Sequence, residues 1–329
     1  MKAQSISKFG DSTVFEEFEL DKPVVKPGYM LVKVMATSVN PIDTKIRAGK
    51  FPDITAAFPA VLHGDVAGVV EEIGQGVTEF KVGDEVYGCA GGLVGEGGAL
   101  SEWMLVDSAL MAKKPMKLSM AEAAALPLVV ITAWEAMFEK VKIGPTKKVL
   151  IHAGAGGVGH VAIQLAASSG AEVYATVSSP KKAKIATSLG ATDTINYRNE
   201  SVDEYVQRLT DGKGFDVVLD TVGGDNIDQS LAAVAMYGDV VSILSTSTHD
   251  LSPLFSKSAN FHVVFMLLPM LYNVQRERHG EILKKAAEMV DQGKLKPLID
   301  EQRYTFAEVG KAHHFLESGK AIGKVVIAR

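Results

Sequence analysis

Cysteine is scarce in this chain of 329 residues, since Cys89 is the only one. One cysteine cannot form an intramolecular disulfide, nor can it supply a zinc lobe built from several cysteines. Long apolar runs are also missing. The longest run near the C-terminal third, 262–272, is interrupted by Pro269 and falls far short of the ~20 residues that cross a membrane. Residues 1–10 are polar and mixed, so we expect no secretory signal.

Neither sign of charge dominates. Lys and Arg total 34 and Asp and Glu total 39, which gives a formal net charge of −5. A mildly acidic chain has no general electrostatic attraction to nucleic acid or to anionic lipid. We therefore expect a cytoplasmic protein with no membrane and no nucleic-acid partner. Glycine, in contrast, is abundant at 31 residues, which predicts many tight turns and close backbone approaches.

The length predicts roughly two domains, at about 150 residues each. The first 110 residues contain short predicted strands between Gly and Pro turns, over 30–36, 66–73, 81–86 and 102–106. This pattern indicates an irregular β-rich domain. After predicted helices at 120–140, broken near Pro127, strands alternate with helices of about ten residues. The strands are 148–152, 172–177, 194–196, 216–220 and 239–243, and the helices are 158–169, 181–189, 202–210 and 226–234.

Strands that alternate with helices predict βαβ units and a doubly wound parallel sheet, that is, an α/β fold. The tail predicts helices over 280–291 and 306–316 and a strand over 323–328, with His313 and His314 on a surface helix without chemistry. We predict a parallel-sheet domain over residues 124–262. Residues 1–123 and 263–329 would together form a discontinuous β-rich domain.

The strongest local motif is the G-x-G-x-x-G sequence from Gly154 to Gly159, which follows a predicted strand and precedes a predicted helix. Glycines there permit a tight turn and a close backbone approach to a pyrophosphate, which the helix N-terminus attracts. The alternative is a glycine-rich turn with no ligand. The candidate dinucleotide-binding residues of this turn are Gly154, Gly156, Gly157, Val158 and Gly159.

The end of the next strand indicates which dinucleotide is bound. An NAD site usually has Asp or Glu about 20 residues after the glycines, against the ribose 2′-hydroxyl. Here the strand is followed by Ser178, Ser179 and, after Pro180, two lysines, of which Lys182 can neutralise a 2′-phosphate. This favours NADPH. The alternative is a Ser-Pro helix cap with solvated lysines, and Tyr197 either reaches the same phosphate or only packs there.

Four motifs occur in one order along nearly the whole chain, at 39–43, 63–70, 152–159 and 319–326. With them the chain resembles the medium-chain dehydrogenase/reductase superfamily, in its zinc-free quinone oxidoreductase branch. The resemblance implies a Rossmann cofactor domain, a GroES-like catalytic domain and a homodimer. In relatives, a strand at the position of 261–268 joins the two cofactor-domain sheets across the dimer; otherwise this segment is a core strand.

The resemblance also implies that zinc is absent. Zinc-dependent relatives carry a cysteine at the position of Asn40, a histidine at that of Gly64 and a third ligand near Leu128. None of these three residues is a zinc ligand. Without a Lewis acid, hydride must go to an acceptor that is already electrophilic, such as a quinone or an α,β-unsaturated carbonyl.

The resemblance places Asn40 and Thr132 beside the nicotinamide ring, where Asn40 would bind the acceptor's oxygen. Their alternatives are a turn residue and a hydroxyl bonded to its own helix. His63 is a candidate proton donor, or else a packed core histidine. Two other functions stay open: an enoyl thioester reductase of the same superfamily, and an NADPH-binding protein without turnover.

Overall fold

The structure is a computed structural model that describes residues 1–329. Its strands are β1 (Lys2–Ile6), β2 (Phe15–Glu19), β3 (Tyr29–Val39), β4 (Ala60–Val61), β5 (Asp65–Ile73), β6 (Glu85–Cys89), β7 (Trp103–Asp107), β8 (Met111–Lys113), β9 (Lys148–Ile151), β10 (Glu172–Val177), β11 (Asp193–Asn196), β12 (Phe215–Asp220), β13 (Val234–Ser242), β14 (Asn260–Val263) and β15 (Val325–Ala328). Its helices are α1 (Pro41–Arg47), α2 (Met120–Ala124), α3 (Pro127–Trp134), α4 (Gly157–Ser168), α5 (Pro180–Ser188), α6 (Val202–Thr210), α7 (Asn226–Ala233), α8 (Ser252–Lys257), α9 (Leu268–Tyr272), α10 (Glu277–Asp291) and α11 (Val309–Glu317).

The chain divides into two compact units. The first unit contains Met1–Ile131 and Leu267–Arg329, and the second contains Thr132–Met266. The predicted fold class, a parallel-sheet domain together with a discontinuous β-rich domain, is confirmed. None of the helices combines the length and apolar character that crossing a membrane requires.

The first unit is built on an antiparallel sheet in the order β15-β3-β5-β6-β8, in which β7 also pairs with β3. The long strand β3 is almost continuously buried, because neighbours pair with it along its whole length. Its last residue, Val39, lies opposite Val325 of β15. The C-terminal strand therefore completes a sheet that the N-terminal segment begins, and Lys324 is carried to the end of β3.

The second unit is a parallel sheet in the order β11-β10-β9-β12-β13-β14. Its central strands are short, rich in Val, Ile and Leu, and buried, as expected for strands covered by helices on both faces. The registers place Thr176 and Asp220 beside His152, immediately after β9. Strand β14 lies at an edge of the sheet, so the segment at 261–268 begins in an edge strand and not in a core strand.

Candidate functional site

The glycine turn lies between β9 and α4, as predicted. Ala153 has a positive φ of 52°, and the helix begins four residues later at Gly157. A Cβ atom on Gly159 would lie 2.3 Å from the carbonyl oxygen of Ala153, and one on Gly154 would lie 2.7 Å from the Cβ atom of Ala175. The turn therefore needs glycine at both positions to bring helix and strand this close together.

The start of α4 fits an anionic ligand. No side chain caps this helix at Gly156, and the first N–H groups of an α-helix have no partner within the helix itself. Gly157 and Val158 are partly exposed there. These backbone donors, together with the helix dipole, are suited to a pyrophosphate.

The carboxyl ends of β10 and β11 present the residues proposed for the 2′-phosphate. The register pairs Val177 with Asn196, so Ser178 and Tyr197 follow at the same edge of the sheet. Ser179 accepts a hydrogen bond from the backbone N–H of Lys182 at 3.3 Å and thus caps α5. The Lys182 ammonium is held in no ion pair, and the Tyr197 side chain is half-exposed. The cap is therefore present, and it leaves the lysine side chain available.

A buried polar row beneath the turn was missed by the sequence reasoning. Thr176, His152 and Asp220 lie side by side at the carboxyl ends of three adjacent strands. Burial lowers the pKa of His152 to about 4. Asp220 Oδ1 accepts hydrogen bonds from the amides of Val222 and Gly223, at 2.8 and 2.9 Å. It thereby fixes the loop after β12. Polar residues that end consecutive predicted parallel strands were the available signal.

In the first unit, Asn40 belongs to a buried ionic cluster. Its Nδ2 donates to Asp65 Oδ2 at 2.8 Å, and its Oδ1 accepts from the Lys324 ammonium. Lys324 Nζ also lies 3.4 Å from Asp65 Oδ2. The backbone N–H of Leu128 donates to Asp65 Oδ1 at 2.8 Å. The cluster thus joins β5 to the residues at the end of β3, the start of α3 and the start of β15.

Asp43 supports the same turn from the other side. Its Oδ2 accepts the backbone N–H of Asn40 at 2.7 Å, so the carboxyl group caps the entry to α1. Burial raises the pKa of Asp43 to about 7. In this position the Asp43 carboxyl group has a structural role, because it holds the backbone where β3 gives way to α1.

His63 lies in a hydrogen-bond chain whose donors can be assigned. Thr37 gives its only hydroxyl hydrogen to the Asp65 carbonyl at 2.6 Å, so it accepts from His63 Nδ1 at 3.2 Å. His63 Nε2 then accepts from His313 Nε2 at 2.8 Å, and His313 Nδ1 accepts from Arg47 at 3.3 Å. Burial lowers the pKa of His63 to about 3 and holds that of His313 well below its usual value. Both rings are therefore neutral near pH 7.

The expectation that His313 lies on a surface helix was wrong. His313 is fully buried on the inner face of α11, whereas its neighbour His314 is exposed. Arg47 connects His313 to the surface through Glu317, whose carboxylate lies 2.7 Å from the guanidinium. Since α11 has one buried face, adjacent histidines fall on opposite sides.

Thr132 lies in α3 and is buried, at 4% exposed. It is the first residue of the second unit, whereas Asn40 and His63 belong to the first. The structure brings Asn40, Asp43, His63 and Lys324 into one buried polar region of the first unit. Lys324 lies within the motif at 319–326, but the sequence alone gives no sign that it belongs to this region.

Comparisons with known proteins assign both parts of the chain to known domain families. Residues 26–116 match the alcohol dehydrogenase GroES-like domain and residues 189–327 match a zinc-binding dehydrogenase domain. A 2-methylene-furan-3-one reductase of Solanum lycopersicum is 36% identical over 99% of this chain and 79% of its own length. The chloroplastic NADPH-dependent alkenal/one oxidoreductase of Arabidopsis thaliana is 33% identical with the same coverage.

Solved structures match along the whole chain. An alcohol dehydrogenase superfamily protein from Novosphingobium aromaticivorans superposes with a TM-score of 0.95 at 38% identity and full coverage of both chains. The Escherichia coli quinone oxidoreductase in complex with NADPH gives 0.89 at 30% identity, again with full coverage of both chains. The fold is that of an alcohol dehydrogenase-like oxidoreductase. The chain belongs to the medium-chain dehydrogenase/reductase superfamily and is similar to its quinone oxidoreductases and enone reductases.

The residues that the resemblance places at the zinc-ligand positions do not fit a metal. Asn40 is engaged with Lys324 and Asp65, and the apolar side chain of Leu128 carries no atom that could bind a metal. A Cβ atom on Gly64 would lie 2.9 Å from the carbonyl oxygen of Gly91, so no larger residue fits there without a shift. Tetrahedral zinc needs imidazole, thiolate or carboxylate donors that converge on one point.

Proposed function

We propose that this protein is an NADPH-dependent, zinc-independent reductase of quinones or α,β-unsaturated carbonyls. The observation that carries the proposal is the uncapped start of α4 behind the glycine turn, together with Ser178 directly after the next strand and Lys182 in the first turn of α5. Relatives with NADPH or alkenal reduction in their names support the same assignment. In this proposal Ser178, Ser179, Lys182 and Tyr197 surround the 2′-phosphate, and Gly154–Gly159 receive the pyrophosphate.

When bound, NADPH supplies a hydride to the carbon β to the acceptor's carbonyl. The electrons of the double bond then move to the carbonyl oxygen, and the resulting enolate takes a proton from water at the α-carbon. In this proposal the carbonyl oxygen of the acceptor receives a hydrogen bond from the side-chain N–H of Asn40. Thr132 contacts the nicotinamide ring. Such a donor stabilises an anion that forms beside it. We do not assign proton transfer to His63, because its hydrogen-bond chain ends on a backbone carbonyl.

An initial-rate panel at fixed NADPH tests this function. We expect turnover with small quinones and short 2-alkenals or enones, and little turnover with saturated aldehydes. We also expect little turnover with alcohols and NADP⁺, and rates that do not change after treatment with a chelator. Equal rates for saturated and unsaturated carbonyls would contradict the zinc-free reductase mechanism, because a localised alkoxide needs a stronger electrophile. No turnover with any acceptor, combined with tight NADPH binding, would favour a binding protein.

An enoyl thioester is the second candidate substrate. A highly reducing polyketide synthase of Didymella fabae is 31% identical over 96% of this chain, which spans only 16% of that synthase. A crotonyl thioester in the same panel separates the two candidates. A clearly higher kcat/KM for the thioester than for the free enones would select the thioester reductase.

We further propose a homodimer that pairs through β14. This strand is the edge of the parallel sheet. Its last residue, Val263, is 47% exposed, and Phe265, two residues beyond it, is 46% exposed. An unpaired edge strand with apolar side chains is suited to pairing with a second copy. A monomeric mass in solution at micromolar concentration would contradict it.

A further inference from the structure

Three polar side chains in the segments that follow β12 and β13 form a hydrogen-bond chain that the proposed reduction does not use. The Ser247 hydroxyl oxygen lies 2.6 Å from Nε2 of His249, and Nδ1 of the same ring lies 2.8 Å from Oδ1 of Asp228. Ser247 and His249 belong to the loop between β13 and α8, and Asp228 belongs to the first turn of α7. A serine, an imidazole and a carboxylate in this order are the groups of nucleophilic catalysis by serine, which recurs on unrelated folds.

The donors of this chain can be assigned. A carboxylate only accepts hydrogen bonds, so Nδ1 of His249 carries the hydrogen and donates it to Asp228. The neutral ring then has a bare Nε2, which accepts the hydroxyl hydrogen of Ser247. The serine proton is therefore already directed at a group that can remove it. Since neutral imidazole is an effective general base, this arrangement can make Ser247 Oγ a nucleophile.

The loop that carries Ser247 is fixed at both ends. At its start, the N–H of Ile243 donates to the backbone carbonyl oxygen of the last residue of β12, at 3.2 Å. At its end, Asp250 Oδ1 accepts the N–H and the hydroxyl of Ser252, at 2.9 and 2.6 Å. The His249 side chain is only 10% exposed, whereas Ser247 is exposed. The base is thus shielded from water, while the hydroxyl group is open to a small reagent.

The same loop carries backbone donors without a partner. None of the N–H groups of residues 245–250 makes a hydrogen bond within the chain. Attack on a carbonyl group places negative charge on its oxygen, and a nearby backbone N–H stabilises that charge. The N–H groups of Ser247 and Thr248 adjoin the attacking oxygen in the chain and are the donors available for this role.

We propose that Ser247 is an activated nucleophile that accepts the acyl group of small activated esters. Ser247 Oγ bonds to the ester carbonyl carbon while His249 Nε2 takes the hydroxyl proton. The bond from this carbon to the leaving oxygen then breaks, and the leaving group takes the proton from the ring. Water removes the acyl group by the same route and releases a carboxylic acid. Asp228 is a positioning residue that holds the ring in the required tautomer, and neither NADPH nor the proposed reduction is involved.

A fluorophosphonate tests the nucleophile on the full-length protein. Attack by the serine oxygen on phosphorus expels fluoride and leaves a stable phosphonyl-serine, which peptide mass spectrometry locates. We expect label on Ser247. His249→Gln should lower the rate of labelling about 100-fold or more, and Asp228→Asn about tenfold or more, because the base is lost or wrongly held. Ser256 is the internal control and should stay unlabelled, since this exposed hydroxyl donates only to the Pro253 carbonyl oxygen.

Hydrolysis of p-nitrophenyl acetate tests the acyl transfer itself. Ser247→Ala should lower the rate of p-nitrophenolate release about tenfold or more, whereas Ser256→Ala should match the wild type. An unchanged rate in Ser247→Ala would overturn the proposal. Wild-type protein without label on Ser247, or with equally fast labelling in wild type and His249→Gln, would overturn it as well. Should His249→Gln fail to fold, Asp228→Asn decides, because that side chain is 60% exposed.

Discussion

Lys182 offers a direct test of cofactor choice at the scale of one residue. It lies in the first turn of α5 behind the Ser179 cap, and no ion pair holds its ammonium group. We expect Lys182→Ala to raise the NADPH Kd about tenfold or more and to change the NADH Kd by less than about twofold. One charge-assisted hydrogen bond to a 2′-phosphate contributes about 1.5–3 kcal/mol. Fluorescence titration of both cofactors gives the two constants.

The matched control is Lys184→Ala, which removes an exposed lysine from the same helix. It lowers the local positive charge equally without touching the proposed phosphate position. If both variants weaken NADPH binding to the same extent, the effect is one of general charge. If neither does, Lys182 is a solvated lysine behind a helix cap.

The surroundings of a residue could be predicted from the sequence only where its contacts are close by in the chain. The glycines could be predicted because a turn, a strand and a helix are all local. The partners of Asn40 could not, because Lys324 is 284 residues away and meets it only through the pairing of β15 with β3. His313 was misplaced for the same reason. Its partner His63 is 250 residues away in the sequence. Two adjacent histidines also do not show which of them lies on the buried face of a helix.

The turn between β9 and α4 is the element on which cofactor binding depends. We expect Gly159→Ala to weaken NADPH binding about tenfold or more, because the added Cβ would meet the Ala153 carbonyl oxygen at 2.3 Å and push α4 away from the turn. Overpacking of this kind costs about 1–3 kcal/mol. Titration with NADPH, together with thermal unfolding to confirm that the variant folds, measures the effect.

Gly144→Ala is the control for this variant. Gly144 lies in the loop before β9, in the same unit, and a Cβ atom there meets nothing within 4 Å. It should bind NADPH like the wild type. Unchanged NADPH affinity in Gly159→Ala would mean that the close helix–strand packing is not needed for the cofactor.

Helices and strands could be predicted from the sequence where the spacing of hydrophobic residues and the positions of turn residues indicated the same boundaries. β10 and α6 occupy the predicted ranges, 172–177 and 202–210. β1 and β2 were not predicted. In β2 the sequence FEEFE has no buried residue, so it lacks the alternation of buried and exposed residues that identifies a strand. The strand expected from residue 81 begins instead at Glu85. Residues 81–84 form a turn, closed by the Asp84 N–H on the Lys81 carbonyl at 3.1 Å.

At the scale of the whole molecule, four of the five buried histidines make stability depend on pH. Burial lowers the pKa of His63 to about 3 and of His152 and His279 to about 4, and that of His313 lies well below 6.5. On unfolding each returns to an ordinary pKa near 6.5 and takes up a proton at any pH between the two values. Unfolding is therefore favoured as the pH falls below about 6.5.

Asp43 acts in the opposite direction. Its folded pKa of about 7 lies above the ordinary 3.8, so it releases a proton on unfolding between these values. Four protons bound and one released leave a net uptake of about three near pH 5. Each proton changes the free energy of unfolding by about 1.4 kcal/mol per pH unit. We expect a maximum slope of about 4 kcal/mol per pH unit, with stability that rises from pH 5 to 7.

Urea unfolding at pH 8, 7, 6 and 5 measures this slope, and a matched pair of variants tests its origin. His313→Asn removes one buried histidine and should flatten the slope by about one proton, although it also lowers stability at pH 8 because it breaks the bond to His63. His314→Asn removes the exposed neighbour on the same helix and should change neither. A urea midpoint that stays constant from pH 8 to pH 5 would show that the buried histidines do not remain neutral while the protein is folded.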